Sequence, residues 1–209
     1  VEGQYLKVTV TFQRSSTPAP VGDTPILEDL TVKTNQPPTV AADNATVTVN
    51  EGATANNTGT YSDPEGDAVT LTASIGTIVN NSDGTWSWSF DTSDGPADSQ
   101  TIYVYAKDVC GCCVETSFDL VVNNVPPEVT VDVPSQTLQY SDYIAKVTFT
   151  ATDVAADSMT ALPAASLPAN LSLSAASCSI SAGIHTCTWE LTGTMDQPVG
   201  DYFIKLEVT

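Results

Sequence analysis

Two short prolyl punctuations, "TNQPPTV" at 34–40 and "NNVPPEV" at 123–129, constrain this chain more than any other feature. Consecutive prolines donate no hydrogen bond to a β-ladder and hold the backbone extended, so they serve as short semi-rigid connectors. The text between them is written twice. "TYSDPEGDAVT" realigns with "TATDVAADSMT", placing Asp63 and Asp67 over Asp153 and Asp157, each 90 residues on. "TWSWSF" matches "TCTWEL", and "QTIYVYAKD" matches "DYFIKLEVT" after an insertion of about eleven residues in the second copy. One module therefore runs over 36–125 and its relative over 126–209. Residues 1–35, with "QYLKVTVTF" and "PILEDLTVKT", read as the closing strands of a preceding β domain, since so short a segment cannot bury a core of its own. The second copy stops before the turn and strand "VETSFDLVVNN" of the first, so it is expected to lack its last strand. A further reading lets strand 4–12 complete the open sandwich of a neighbouring copy.

Within each module the apolar residues alternate. Val69, Leu71 and Ala73 do so, as do Trp86, Trp88 and Phe90, and Ile102, Val104 and Ala106. Val147, Phe149 and Ala151, then Ile204, Leu206 and Val208, repeat the pattern in the second copy. Period two with one apolar face, at spacings of roughly 8–15 residues, predicts antiparallel strands in two stacked sheets. The fold class expected is all-β, with tandem immunoglobulin-like antiparallel β-sandwiches joined by short Pro-rich linkers.

Charge narrows the partners. Six basic residues against 25 acidic ones give a formal charge of −19. Nucleic acid needs clustered Lys and Arg, which this chain lacks, and no apolar run approaches the ~20 residues of a membrane helix. An excess of carboxylate calls for screening by cations, which suits an extracellular setting. Cysteine usage agrees. In "CSISAGIHTC", Cys178 and Cys187 fall on the two sides of a hairpin and are expected to pair. In "DVCGCC", Cys110 with Cys113 across a turn is the first pairing, leaving Cys112 free or intermolecular, and a vicinal Cys112–Cys113 bond is the alternative.

The acidic stretch Asp63–Pro64–Glu65–Gly66–Asp67 admits two readings. Asp at i, Pro at i+1 and Gly at i+3 suit a type I turn. Three carboxylates at i, i+2 and i+4 also offer the oxygens that Ca2+ takes. Ligands from elsewhere would have to complete such a site, with Asp43 and Asp108 among them and Asn35, Asn123 or Asn124 from the linkers. Asp153 and Asp157 form a sparser version in the second module. Trp86 and Trp88 could stack sugar rings, but Phe90 continues their stripe and favours the core. Tyr103 and Tyr105, on the opposite face from Ile102 and Val104, are the better surface contacts. The lone histidine, His185, reads as a solvated strand residue without triad partners, and no catalytic constellation emerges.

"NQPPTVAADNATVTVNEG", "YSDPEGDAVTLTAS", "NSDGTWSWSF" and "YVYAKD" resemble the tandem cadherin-like and immunoglobulin-like repeats of large bacterial surface proteins. "LPANLSL" and "PVGDYFIKLEVT" are similar to related immunoglobulin-like repeats. The resemblance implies an extracellular β-sandwich in adhesive or spacer roles, and in some members calcium between domains. The function expected is a non-catalytic structural module of a surface layer, filament or adhesin, contacting other domains or copies of the same protein. The alternative is a spacer or carbohydrate-binding section of a secreted polysaccharide-degrading enzyme, with surface glycans as partners. The opening segment's similarity to jelly-roll modules supports that alternative.

Overall fold

In the computed structural model the described residues are 34–163 and 166–209. The chain divides into the compact units Val1–Asn35 and Gln36–Thr209, and the second is described below. The expected closing strands 4–12 and 25–34 lie outside the described residues, save for Thr34. All regular structure in the described residues is β. The first module holds β1 (Thr39–Ala42), β2 (Thr46–Asn50), β3 (Thr54–Ser62), β4 (Thr70–Ala73), β5 (Thr77–Asn80), β6 (Thr85–Asp91), β7 (Gln100–Lys107) and β8 (Cys113–Asn123). The second holds β9 (Glu128–Val131), β10 (Asp142–Tyr143), β11 (Val147–Val154), β12 (Ala161–Pro163), β13 (Leu171–Leu173), β14 (Ser177–Ser181), β15 (Ile184–Met195) and β16 (Leu206–Val208).

The first module stacks a sheet ordered β1-β3-β6-β5 on one ordered β2-β8-β7-β4. Alternation sets which side chains meet between them. Trp86 and Trp88 from β6 face Ile102 and Val104 from β7 and Phe118, Leu120 and Val122 from β8, all buried. Trp88 packs edge-on to Phe118 at 5.0 Å and donates its indole N–H to the Ile75 carbonyl at 2.7 Å. The pair expected in the core is in the core. One pairing departs from the antiparallel expectation: β2 runs parallel to β8, Thr46 opposite Asp119 and Asn50 opposite Asn123. After β1 the chain crosses between sheets at Asp43, whose N–H still bonds Thr58 of the first sheet, and by Ala45 its carbonyl accepts from Asp119 of the second. A strand that changes sheets without reversing arrives parallel to its new neighbour.

The second module repeats this plan with a different balance. Its large sheet is ordered β10-β15-β11-β9, with β13 and β14 also paired to the twelve-residue β15. Its other sheet is β12-β16, two strands where the first module has four. Trp189 stands where Trp88 stands in the first copy, and Cys187 stands where Trp86 does; both are buried. The half-cystine is much smaller than an indole, and Met159 and Ala151 pack around it. Cys187 is bonded to Cys178 across the β14–β15 hairpin, as the spacing predicts. Closing that ten-residue loop stabilises the fold by about 2.7 kcal/mol on the loop-entropy model. Among the described residues each module has its own apolar clusters, and no buried core residue is shared across the Val125–Pro127 linker.

Candidate cation site at the module junction

Glu51 follows directly on β2, and Gly52 turns the chain with φ 72°, a left-handed conformation that glycine takes without strain. The carboxylate that precedes this turn is only 6% exposed. Burial of a carboxylate is tolerated when its oxygens accept from fixed donors. Here Oε2 accepts from the Gly95 N–H at 2.7 Å and Oε1 from the Val125 N–H at 2.6 Å. The Glu51 N–H donates to the Asn123 carbonyl at 3.0 Å. Glu51 thus clamps the 95 loop, the end of β8 and the linker residue before Pro126.

From the second module come Asp153 and Asp157. Asp153 lies in β11 opposite His185 of β15, and its Oδ1 accepts from the Val154 N–H at 2.8 Å. The next turn is fixed by Ala155 N–H to Gly183 O at 3.0 Å and Asp157 N–H to Val154 O at 3.2 Å. His185 donates through Nδ1 to the Asp157 carbonyl at 2.6 Å, and its Nε2 is 3.5 Å from Cys187 Sγ. The ring is half-buried and held, rather than a solvated strand side chain, because the Asp157 turn folds back over it. Cys178, His185 and Cys187 are close enough to suggest a metal set, but the two sulfurs are spent on the disulfide.

Carboxylate oxygens of Glu51, Asp153 and Asp157 lie within 4.8 Å of one another. Burial first, then the charges of Glu51, Asp153 and Asp94, push the Asp157 carboxyl above the usual carboxylate range. The ion pairs found among the described residues, Lys146–Glu190 and Lys205–Glu207, involve none of these acids. The modules touch at this place: a Cβ on Gly52 would stand 3.2 Å from Val154 Cγ1. A cleft of about 670 Å³ opens beside the cluster, bounded by Thr92, Pro126, Glu128 and Gly183 among others.

The donor set fits a hard divalent cation. All three groups offer oxygen, and Ca2+ takes oxygen ligands at about 2.3–2.6 Å, so two ligands of one ion are never more than about 5 Å apart. Three negative charges gathered across a junction are a cost that such an ion would remove. Glu51, Asp153 and Asp157 would hold it, from both modules.

The residues singled out from sequence fall elsewhere. Asp63 Oδ1 accepts from the Glu65 and Asp67 N–H groups at 2.9 and 3.0 Å, the pattern of a turn, while its Oδ2 is buried without a partner. Glu65 accepts from the Gln36 N–H at 3.2 Å. Asp108 is buried and accepts from the Cys112 N–H at 2.9 Å. Asp108, Asp67 and Asp63 all stand near enough to Cys110 to raise its thiol pKa, although burial is the larger cause. The structure therefore brings Asp63, Asp67 and Asp108 to one end of the first module. Asp43 is not with them: it accepts from Thr58 Oγ1 at 2.6 Å, and antiparallel β1–β3 pairing puts Thr58 several residues, about 13 Å or more, from Asp63.

The Cys110–Cys113 pairing is not formed; both are exposed thiols. Cys113 opens β8 on its outward face, opposite Lys107, whereas Cys110 lies in the turn toward the acids of the β3–β4 loop. Glu51 was missed from sequence because it is remote from Asp153 along the chain. The available signal was its place in "VNEG", an acid between a strand end and a turn glycine.

The fold and its paired sheets define Ig-like β-sandwich modules. Residues 35–121 match the family model for the bacterial Ig domain. Among solved structures, the titin domains z1z2 in complex with telethonin align over 84% of this chain and 95% of that one, at 16% identity and a TM-score of 0.39. Dpr2 Ig1-Ig2 in complex with DIP-Theta Ig1-Ig3 aligns over 76% of this chain and 87% of that one, at 15% identity and a TM-score of 0.35. A search of curated proteins finds no match. Among the described residues no helix is long and apolar enough to cross a membrane.

Proposed function

We propose that this chain is a non-catalytic structural section of a large extracellular protein of the surface-layer, filament or adhesin kind. Its two modules are held at a set angle by Ca2+ between Glu51, Asp153 and Asp157. The observation that carries the reading is the convergence of three carboxylates from both modules within 4.8 Å, with the Asp157 anion disfavoured by burial first and then by Glu51 and Asp153. Glu51, Asp153 and Asp157 would supply the oxygen ligands, and the ion would supply the positive charge that offsets them. Glu51 positions the linker by accepting from Val125, and the Asp153–Asp157 turn presents its acids to the first module. The disulfide and the charge of −19 support an oxidising, cation-rich setting.

The sugar-binding alternative loses Trp86 and Trp88, which are 0% and 1% exposed. It keeps the exposed Tyr103–Tyr105 stack, ring centroids 6.4 Å apart.

Calorimetric titration of the whole chain with Ca2+ tests the proposal. Binding near one equivalent, lost in a Glu51→Ala, Asp153→Asn double variant that still folds, is expected. Binding unchanged in that variant, or no heat up to 10 mM Ca2+, would overturn it.

A further inference from the structure

The chain has five cysteines, and one pair is consumed by Cys178–Cys187. Three sulfurs remain within four residues at the tip of the β7–β8 hairpin, and three sulfurs can make at most one bond among themselves. At least one is therefore left over, as a thiol or for a partner outside these three. Direction distinguishes them. Cys110 lies in the turn toward Asp108, Asp67 and Asp63, where burial first and then those charges raise its thiol pKa. Cys113 stands on the outer face of the sheet, beside Lys107 on the neighbouring strand. Cys112 precedes β8 and belongs to the turn, its N–H donating to Asp108 Oδ1 at 2.9 Å and its carbonyl accepting from the Asp108 N–H at 3.2 Å.

We propose that Cys113 forms a disulfide with Cys113 of the partner subunit, joining two copies of this chain through the outer face of the β7–β8 hairpin. The surface around it is self-complementary. Lys107 lies opposite Cys113 and Glu115 is two residues along β8, both outward. In a two-fold contact each feature meets its complement twice, so Lys107 faces Glu115 of the partner subunit and the reverse. Tyr105, opposite Glu115 and 37% exposed, stacks with Tyr103 and offers the flat apolar area of the contact. Lys107 also offsets part of the mutual repulsion of two chains that each carry −19.

The chemistry is thiol–disulfide exchange with a low-molecular-weight disulfide as oxidant. The Cys113 thiolate attacks one sulfur of RSSR, forming a mixed disulfide and releasing RS⁻. The Cys113 thiolate of the partner subunit attacks the protein-side sulfur, forming the interchain bond and releasing a second RS⁻. Two protein thiols are oxidised and one RSSR is reduced to two RSH, with the two thiol protons going to the thiolates released.

The test is oxidation of the full-length chain by glutathione disulfide, read on non-reducing gels and by mass spectrometry of the crosslinked peptides. A dimer carrying a Cys113–Cys113 peptide is expected, formed equally by Cys110→Ser and absent in Cys113→Ser. Lys107→Glu should slow dimer formation roughly two- to fivefold, the range for an exposed ion pair, and adding Glu115→Lys should restore the rate. A monomer bearing only glutathione adducts, a bond confined to residues 110–113, or a dimer that persists in Cys113→Ser would overturn the proposal. So would a rate indifferent to the charge exchange, as far as the two-fold geometry is concerned.

Discussion

Replacing Asp157 by Asn should act in opposite directions with and without Ca2+. In a chelator at pH 7, burial first and then the charges of Glu51, Asp153 and Asp94 hold the folded pKa of Asp157 above the ordinary value. A carboxyl raised on folding binds protons better in the native state. Its contribution to stability is therefore full below the unfolded pKa near 3.8 and is lost as pH rises through the folded value. A neutral amide removes that loss, and the melting temperature in chelator should be unchanged or higher. With Ca2+ the sign reverses. Extracellular sites bind Ca2+ at about 10⁻⁴–10⁻³ M, so 10 mM ion is ~10–100 times Kd and stabilises by about 1.4–2.7 kcal/mol. At roughly 2–4 °C per kcal/mol for a unit of this size, the midpoint rises by about 3–11 °C. Loss of one of three ligand charges weakens binding about tenfold, and the increment should at least halve. Scanning calorimetry of both proteins with 10 mM Ca2+ and with chelator reads all four midpoints. An increment equal in the two proteins, or a lower midpoint for the variant in chelator, would refute the reasoning.

Three other perturbations probe the supporting structure. Replacing Cys178 and Cys187 together by Ala should lower stability by about 2.7 kcal/mol plus any packing lost at buried Cys187, seen as a lower urea midpoint; no change would mean the bond does not constrain the unfolded chain. Gly59→Ala would place a Cβ 2.1 Å from the Ala41 carbonyl oxygen and 2.3 Å from the Trp86 ring, so β1 must leave β3 at a cost of about 3 kcal/mol; retained amide-exchange protection across Thr39–Ala42 would contradict this. Glu51→Ala strands the Gly95 N–H and leaves the Val125 N–H only the longer bond to the Asn124 side chain, and should cost about 1–3 kcal/mol even in chelator, which denaturant unfolding measures.

The sandwich was legible because strand alternation is a local property. Trp86, Trp88, Ile102, Val104 and Ala106 all fall on the face their period assigns. The match of "TWSWSF" to "TCTWEL" places Trp189 and Cys187 over the positions of Trp88 and Trp86. What periodicity does not encode is how strands change partners. The parallel β2–β8 pairing and the sheet of β12 and β16 depend on where the chain crosses between layers. The carboxylate cluster of the candidate site was half legible: the repeat aligned Asp153 and Asp157 with Asp63 and Asp67, yet Glu51 belongs to a turn of the other module. Asp43 lies apart from Asp63, because its distance from that turn is set by β1–β3 register and not by sequence composition.

Rotational correlation times of the two modules, from ¹⁵N relaxation of backbone amides in 36–125 and 126–209, test the junction directly. With 10 mM Ca2+ both modules should tumble as one body, with a common correlation time. In chelator, or in Glu51→Ala with Ca2+, the two values should separate and shorten. Equal values in every condition would mean that the junction is rigid without an ion, and values that stay apart in Ca2+ would mean that the carboxylates do not join the modules.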